Sequence, residues 1–304
     1  MFRKTLLICA LAGSVRPGGA QPSARRDDPW RDTTRHTAHF LTVERGVKLH
    51  YLDFGGSGPP LVFLAGLGNT AHAFDNFAPA FIDRFHVIAI TRRGFGESDH
   101  PVDGYEQPRL VADIKAVLDT LKLGRVSIIG HSIAAEEMTR FGVMHPARVD
   151  KLIFLDGAYD RVRASMLITD DSVPEPRGEF VAAPARSDTS SEAAYVAYVH
   201  RSRGVNIPEA DIRMRFRYDG WQEEIGYAYQ HITVETPQYK RLKAPSLAIY
   251  AVDDSSDELY SLLRDEFRTE VANGKVLELH GAHHWIFISN RAEVLAACRK
   301  FLGI

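Results

Sequence analysis

Residues 126–141, Val-Ser-Ile-Ile-Gly-His-Ser-Ile-Ala-Ala-Glu-Glu-Met-Thr-Arg-Phe, change their period at a single point. Val126, Ile128 and Ile129 make a short β-branched apolar run that reads as a buried strand. After Gly130 the apolar residues Ala134, Met138 and Phe141 recur at helical spacing. Ser132 falls at the break. A serine on so sharp a strand-to-helix turn projects its Oγ clear of the sheet edge, and the small residues Gly130 and Ala134 let backbone pack close behind it. The helix that follows turns unpaired N–H groups and the positive end of its dipole toward the place where an attacked carbonyl oxygen would become an oxyanion. Gly-x-Ser-x-Gly also occurs by chance in ordinary turns, and here its last glycine is Ala134. It is the strand before and the helix after that make Ser132 a candidate nucleophile.

The rest of the chain alternates in the same way. Residues 38–43 and 47–54 read as a hairpin, and residues 61–64, 86–90, 149–155, 246–251 and 276–279 as further strands. Helices are predicted over 74–81, 109–121, 259–271 and 292–302. Such alternation calls for an α/β fold: a mostly parallel sheet covered on both faces, opened by an antiparallel hairpin. Residues 161–243 interrupt it. A segment of that length between strands is not a loop, and its helical stretches carry Tyr195, Tyr198, Phe216, Tyr218, Trp221, Tyr227 and Tyr229, so it is predicted to be an inserted helical cap. The core is then 38–160 together with 244–304.

The first residues differ from all of this. Arg3 and Lys4 precede an apolar stretch over 5–15 that is too short to span a bilayer, and Gly18-Gly19-Ala20 offers a cleavage site before Gln21. Residues 1–20 are therefore expected to be a signal peptide for export, and the polar residues 21–37 a loose leader. No later run is long enough to predict a membrane span. A formal net charge of -2 leaves no electrostatic footprint for nucleic acid, so a small-molecule partner is expected. Of two cysteines, Cys9 lies in the leader and Cys298 in the last helix. One thiol remains after cleavage, so core packing must hold the fold.

In a parallel sheet the loops after the strand C-terminal ends share one edge, where Ser132 can meet Asp253 or Asp254 and His283 or His284. A serine hydroxyl at neutral pH needs an imidazole base, and the imidazole needs a carboxylate to orient it. The three loops supply one part each, in the order Ser, Asp, His. The glycine-bracketed turn Ala65-Gly66-Leu67-Gly68-Asn69 can aim Leu67 N–H at the same edge, beside Ile133 N–H, as an oxyanion hole. Arg92 and Arg93 suggest an anion site but are better read as a salt-bridged loop. His280, His283 and His284 share a turn without a Cys or Glu partner pattern. No metal and no cofactor are expected.

The chain resembles the α/β-hydrolase fold family over about residues 38–302. The motifs that carry the likeness are Leu64-Ala65-Gly66-Leu67-Gly68-Asn69, Arg92-Arg93-Gly94-Phe95-Gly96-Glu97-Ser98, Gly130-His131-Ser132-Ile133-Ala134-Ala135, His145-Pro146-Ala147-Arg148-Val149 and Gly281-Ala282-His283-His284. The resemblance implies a serine hydrolase with Ser132 as nucleophile and His284 as base, His283 being a polar residue of the loop. It places the acid at Asp254, with Asp253 adjacent and Asp160, after the preceding strand, as the known alternative place. The family usually has His-Gly where this chain has Ala65-Gly66, so the hydrogen bond that steadies that loop must be missing or supplied differently.

The expected activity is cleavage of an ester-type bond through an acyl-enzyme. Carbon–carbon bond hydrolases, amidases, lactonases and cofactor-free haloperoxidases use the same triad and stay open, whereas epoxide hydrolases and haloalkane dehalogenases of this fold use an aspartate where this chain has Ser132. The rival of another class is a ligand-binding homologue without turnover.

Overall fold

The computed structural model describes residues 30–168, 184–217, 221–252 and 258–304. The expected signal peptide, residues 1–20, and residues 21–29 of the expected leader lie outside that range. One eight-stranded sheet organises the molecule, in the order β1-β2-β4-β3-β5-β6-β7-β8. β1 (Thr37–Glu44) and β2 (Val47–Gly55) form an antiparallel hairpin, and β2 pairs antiparallel with β4 (His86–Ile90). All later pairings are parallel: β3 (Pro60–Leu64) with β4 and with β5 (Val126–His131), then β6 (Val149–Leu155), β7 (Ser246–Val252) and β8 (Gly274–His280).

The period-two alternation of side chains sorts each strand between two cores. In β6, Leu152 and Phe154 face one side with α1 (Gln107–Thr120), α2 (Ala134–Met144) and later α7 (Glu258–Glu270). Ile153 and Leu155 face the other with the 71–81 segment and the C-terminal helices α8 (Ile286–Ser289) and α9 (Arg291–Leu302). Central strands buried on both faces read as continuous apolar runs, which is why they were legible. Cys298 sits wholly inside the second core, where burial pushes its thiol well above the usual range. Among the described residues, four α-helices lie between β6 and β7: α3 (Arg161–Ile168), α4 (Glu192–Arg203), α5 (Glu209–Arg217) and α6 (Trp221–Ile232).

One predicted helix differs. Residues 74–81 are not a continuous helix; two 3-10 turns, Ala71–Phe74 and Ala78–Phe81, take their place. Pro79 has no N–H to donate back toward Asp75, and the tighter bonds Asp75 N–H to His72 O (3.1 Å) and Phe77 N–H to Phe74 O (2.8 Å) form instead. Among the described residues no helix is long and apolar enough to cross a membrane.

Candidate active site

Strand β5 ends at His131, and Ser132 takes φ 54 before α2 begins at Ala134. A positive φ is uncommon outside glycine, and here three close approaches surround it. A Cβ on Gly130 would stand 2.1 Å from Met138 Sδ and 3.0 Å from Ala134 Cβ, so the alanine at 134 is accommodated because position 130 carries none. A Cβ on Gly66 would lie 3.3 Å from Ser132 Cβ, which sets the 65–67 turn directly against the serine. Gly157 meets the serine backbone from the β6 side.

The base must come from farther away. His284 follows β8, three strand spacings from β5, or about 14 Å across the sheet. Gly281, at φ 69, turns the chain back, and its N–H donates to Val252 O at 2.9 Å. His131 then catches the returning loop: its Nε2 lies 3.1 Å from His284 O, with the two rings 4.6 Å apart. Burial, followed by the neighbouring His284, holds the His131 imidazole well below its ordinary pKa. It is therefore neutral, with its proton on Nε2. His284 Nε2 comes to 3.0 Å from Ser132 Oγ. His283 turns elsewhere and accepts the Trp285 N–H at Nδ1, 3.2 Å away.

The carboxylate that meets His284 among the described residues is Asp156. His284 Nδ1 lies 2.6 Å from Asp156 Oδ2. Asp253 and Asp254 fall outside the described residues, and Asp160, in the right loop, caps α3 by accepting the Arg163 N–H at 2.9 Å. Asp156 leaves β6 immediately at φ 46, so its carboxyl stays at the sheet edge beside β5. β7 secures it: Asp156 N–H donates to Ile249 O at 2.7 Å and Ala251 N–H to Asp156 Oδ1 at 3.1 Å. Tyr159 adds a third donor, its hydroxyl 2.7 Å from Oδ1. Burial and the Asp156 charge push that phenol far above its usual pKa, so it remains a donor. With Asp156 accepting, His284 Nδ1 carries its proton and Nε2 is free to accept from Ser132. The signal for Asp156 was present in the sequence: an Asp-Gly pair immediately after a buried strand.

Leu67 and Ile133, the expected oxyanion donors, flank the serine. Among the described residues, neither backbone N–H has a backbone carbonyl acceptor, and Asn69 N–H closes the turn onto Gly66 O at 3.1 Å. The hydrogen bond left open by Ala65 comes from Arg92, whose Nη2 donates to Ala65 O at 3.1 Å. Arg92 is itself paired with Glu137 of α2, both side chains being buried. Arg93 is likewise spent, on Asp113 at 2.6 Å and Glu44 at 2.8 Å. The two arginines tie elements together through these pairs.

Above the serine, Ile225 and Tyr229 of α6 pack with Leu67, Phe95 and Ile133 in one apolar cluster. Helix α5 docks through Asp211, wholly buried, which accepts from Asn69 Nδ2 (2.7 Å), Thr70 N–H (2.6 Å) and Thr70 Oγ1 (2.9 Å). The Leu67 turn and Ile133, next to Ser132, thus lie against apolar side chains of α6.

Residues 59–291 match the family described as the alpha/beta hydrolase fold. Among curated relatives, a soluble epoxide hydrolase of Corynebacterium sp. (strain C12) is 30% identical over 138 residues, 45% of this chain and 46% of that protein. A 2-(acetamidomethylene)succinate hydrolase of Mesorhizobium japonicum is 33% identical over 101 residues, 33% of this chain and 36% of that protein. The matches therefore span less than half of those relatives. The solved structure of an E-2-(acetamidomethylene)succinate hydrolase superimposes with a TM-score of 0.69, covering 88% of this chain and 100% of the other at 19% identity, a likeness of fold.

Proposed function

The chain belongs to the α/β-hydrolase fold family, and on that premise we propose that this hydrolase is a serine hydrolase cleaving ester-type bonds of small molecules. The observation that carries the reading is the unbroken relay from Ser132 Oγ to His284 Nε2 (3.0 Å) and from His284 Nδ1 to Asp156 Oδ2 (2.6 Å). Ser132 attacks the carbonyl carbon while His284 Nε2 takes the hydroxyl proton, and Asp156 stabilises the imidazolium without accepting the proton. The oxyanion is met by the N–H groups of Leu67 and Ile133. His284 then returns the proton to the leaving alcohol, and water repeats the sequence to free the acid. No residue in this scheme calls for a cofactor.

One curated relative is named for epoxide hydrolysis, which in this fold runs on an aspartate nucleophile. Ser132 with an imidazole in hydrogen-bond range favours acyl transfer instead. The apolar roof of Ile225, Tyr229 and Phe95 favours an uncharged acyl or alkyl group over a polyanionic one.

Nitrophenyl esters of graded acyl length, with one amide and one lactone, test the proposal. Turnover of an ester is expected, and Ser132→Ala should abolish it while melting as the parent does; unchanged turnover in that variant overturns the assignment. Export through residues 1–20 remains part of the proposal, and a mature chain beginning at Gln21 in the mass spectrum of the exported product supports it.

A further inference from the structure

On the β1 side of the sheet, away from Ser132, four side chains turn inward on one point. Asp32 and His36 come from the segment before β1, and His72 and Asp75 from the 3-10 turn that follows the Leu67 loop. One ligating atom from each lies within 4.8 Å of all the others. His72 Nδ1 is 3.0 Å from Asp75 Oδ2 and 3.2 Å from Asp32 Oδ2, His36 Nε2 is 3.4 Å from Asp32 Oδ2, and His36 Nδ1 is 3.8 Å from Asp75 Oδ1. Bonds of 2.0–2.1 Å to a tetrahedral zinc ion set its ligand atoms about 3.3 Å apart. The contacts of His72 Nδ1 with the two carboxylates, 3.0 and 3.2 Å, lie close to that edge, and His36 faces Asp32 through Nε2 and Asp75 through Nδ1, so either ring nitrogen is at hand as its single ligand.

A hydrogen bond joins His72 Nδ1 to Asp75 Oδ2 at 3.0 Å, but it leaves the rest of the cluster unaccounted for. Asp75 and His36 are 3% and 8% exposed at the side chain, yet Asp75 Oδ1 and His36 Nδ1 face each other with no hydrogen-bond partner among the described residues. Asp32 spends Oδ1 on the Thr34 N–H at 2.8 Å and leaves Oδ2, also buried, directed at the two imidazoles. Buried polar atoms are ordinarily paired, so three left without hydrogen-bond partners around one point need a shared one. Among the described residues, the only ion-pair partners of either carboxylate are these same imidazoles. Burial disfavours the His72 charge, but Asp32 and Asp75 beside it raise its pKa to about 9, so a cation entering here displaces that proton. With both imidazoles then neutral the four groups sum to two negative charges, which one divalent cation neutralises.

We propose that Asp32, His36, His72 and Asp75 form a Zn²⁺ site that fastens the segment before β1 to the turn following the Leu67 loop. Two imidazole nitrogens and two carboxylate oxygens suit a borderline cation at four-coordination, whereas Ca²⁺ and Mg²⁺ take more ligands, all or nearly all oxygen. Its position gives it a structural task. Thr70, which caps the 71–74 turn, donates twice to Asp211 of the cap helix α5, and Trp30 at the start of the strap lies 4.9 Å beneath the Arg213 guanidinium of that helix. A cation at this point would lock strap, turn and cap base together.

The test is titration of ZnCl₂ into the full chain after EDTA treatment and dialysis, read by calorimetry and by the melting midpoint. One equivalent of Zn²⁺ per chain and a raised midpoint are expected, with neither effect from Ca²⁺ or Mg²⁺. The pair His36→Gln/His72→Gln should lose that equivalent, and His39→Gln, on the exposed face of β1, should keep it. Asp32→Asn keeps the proposal testable if the double variant fails to fold: it alters the peripheral strap alone and should weaken binding about tenfold or more. Failure of the parent to bind Zn²⁺ stoichiometrically, binding undiminished in Asp32→Asn, or an equal response to Ca²⁺ would overturn the site. None of these results bears on the esterase reading, which rests on other residues.

Discussion

A methyl group on Gly157 would stand 2.3 Å from the carbonyl oxygen of Ser132. The loop that carries Asp156 thus approaches Ser132 so closely that only hydrogen fits between them, and Asp156 reaches His284 across that approach. Gly157→Ala must push the two loops apart. A displacement near 1 Å at a reacting group costs about 100-fold in rate, so kcat should fall by about that factor while the chain stays folded. Gly226→Ala serves as the contrast: its Cβ meets open space inside α6, and about 0.5–1 kcal/mol of added stability is expected in urea unfolding.

Asp156→Asn keeps the size of the acid and removes its charge. His284 then loses the partner that holds its proton on Nδ1, and kcat on an ester should drop about 10³–10⁴-fold. Asp254→Asn and Asp160→Asn should stay within about threefold of the parent, since both keep the Asp156–His284–Ser132 relay. Equal losses in Asp254→Asn would return the acid to the loop after β7.

His131 makes stability depend on pH. Its folded-state pKa lies well below the ordinary 6.5, so below pH 6.5 the unfolded chain binds a proton that the folded chain refuses. Its contribution is complete above pH 6.5 and is lost on acidification at up to about 1.4 kcal/mol per pH unit. Urea unfolding of the parent and of His131→Gln between pH 7 and 5 checks this. The variant keeps a donor for His284 O and should lose stability less steeply by one proton's worth.

Arg92 joins the oxyanion turn to the nucleophile helix through Ala65 O and Glu137. Arg92→Met leaves a buried carboxylate unpaired and should cost about 3–5 kcal/mol. Adding Glu137→Leu removes the stranded charge and should restore much of that stability. The Ala65 carbonyl stays untethered, so kcat should remain depressed in the double variant. Recovery of both quantities together would mean that Arg92 contributes to folding alone.

The strands, and with them the α/β-hydrolase fold, were legible because central strands buried on both faces spell uninterrupted apolar runs such as Leu61 to Leu64. Ser132 was legible because its period change is local. The acid was not. Asp156, Asp160 and Asp254 all stand after strands, and choosing between them depends on a positive φ at 156 and on a glycine approach across two strands, neither of which has a sequence period. The same holds for Arg92, whose partner Glu137 lies 45 positions away, and for the break at Pro79, where one missing N–H outweighs helical spacing. Asp32 and His36 look in the sequence like part of a loose leader because their partners, His72 and Asp75, come from beyond two strands.

Activation of Ser132 by His284 is tested most directly by covalent labelling with a fluorophosphonate. The folded chain should gain one adduct, mapped to the peptide containing Ser132, and Ser132→Ala and His284→Ala should gain none or only a trace. A natively folded chain that stays unmodified, or one labelled equally well without His284, would contradict it.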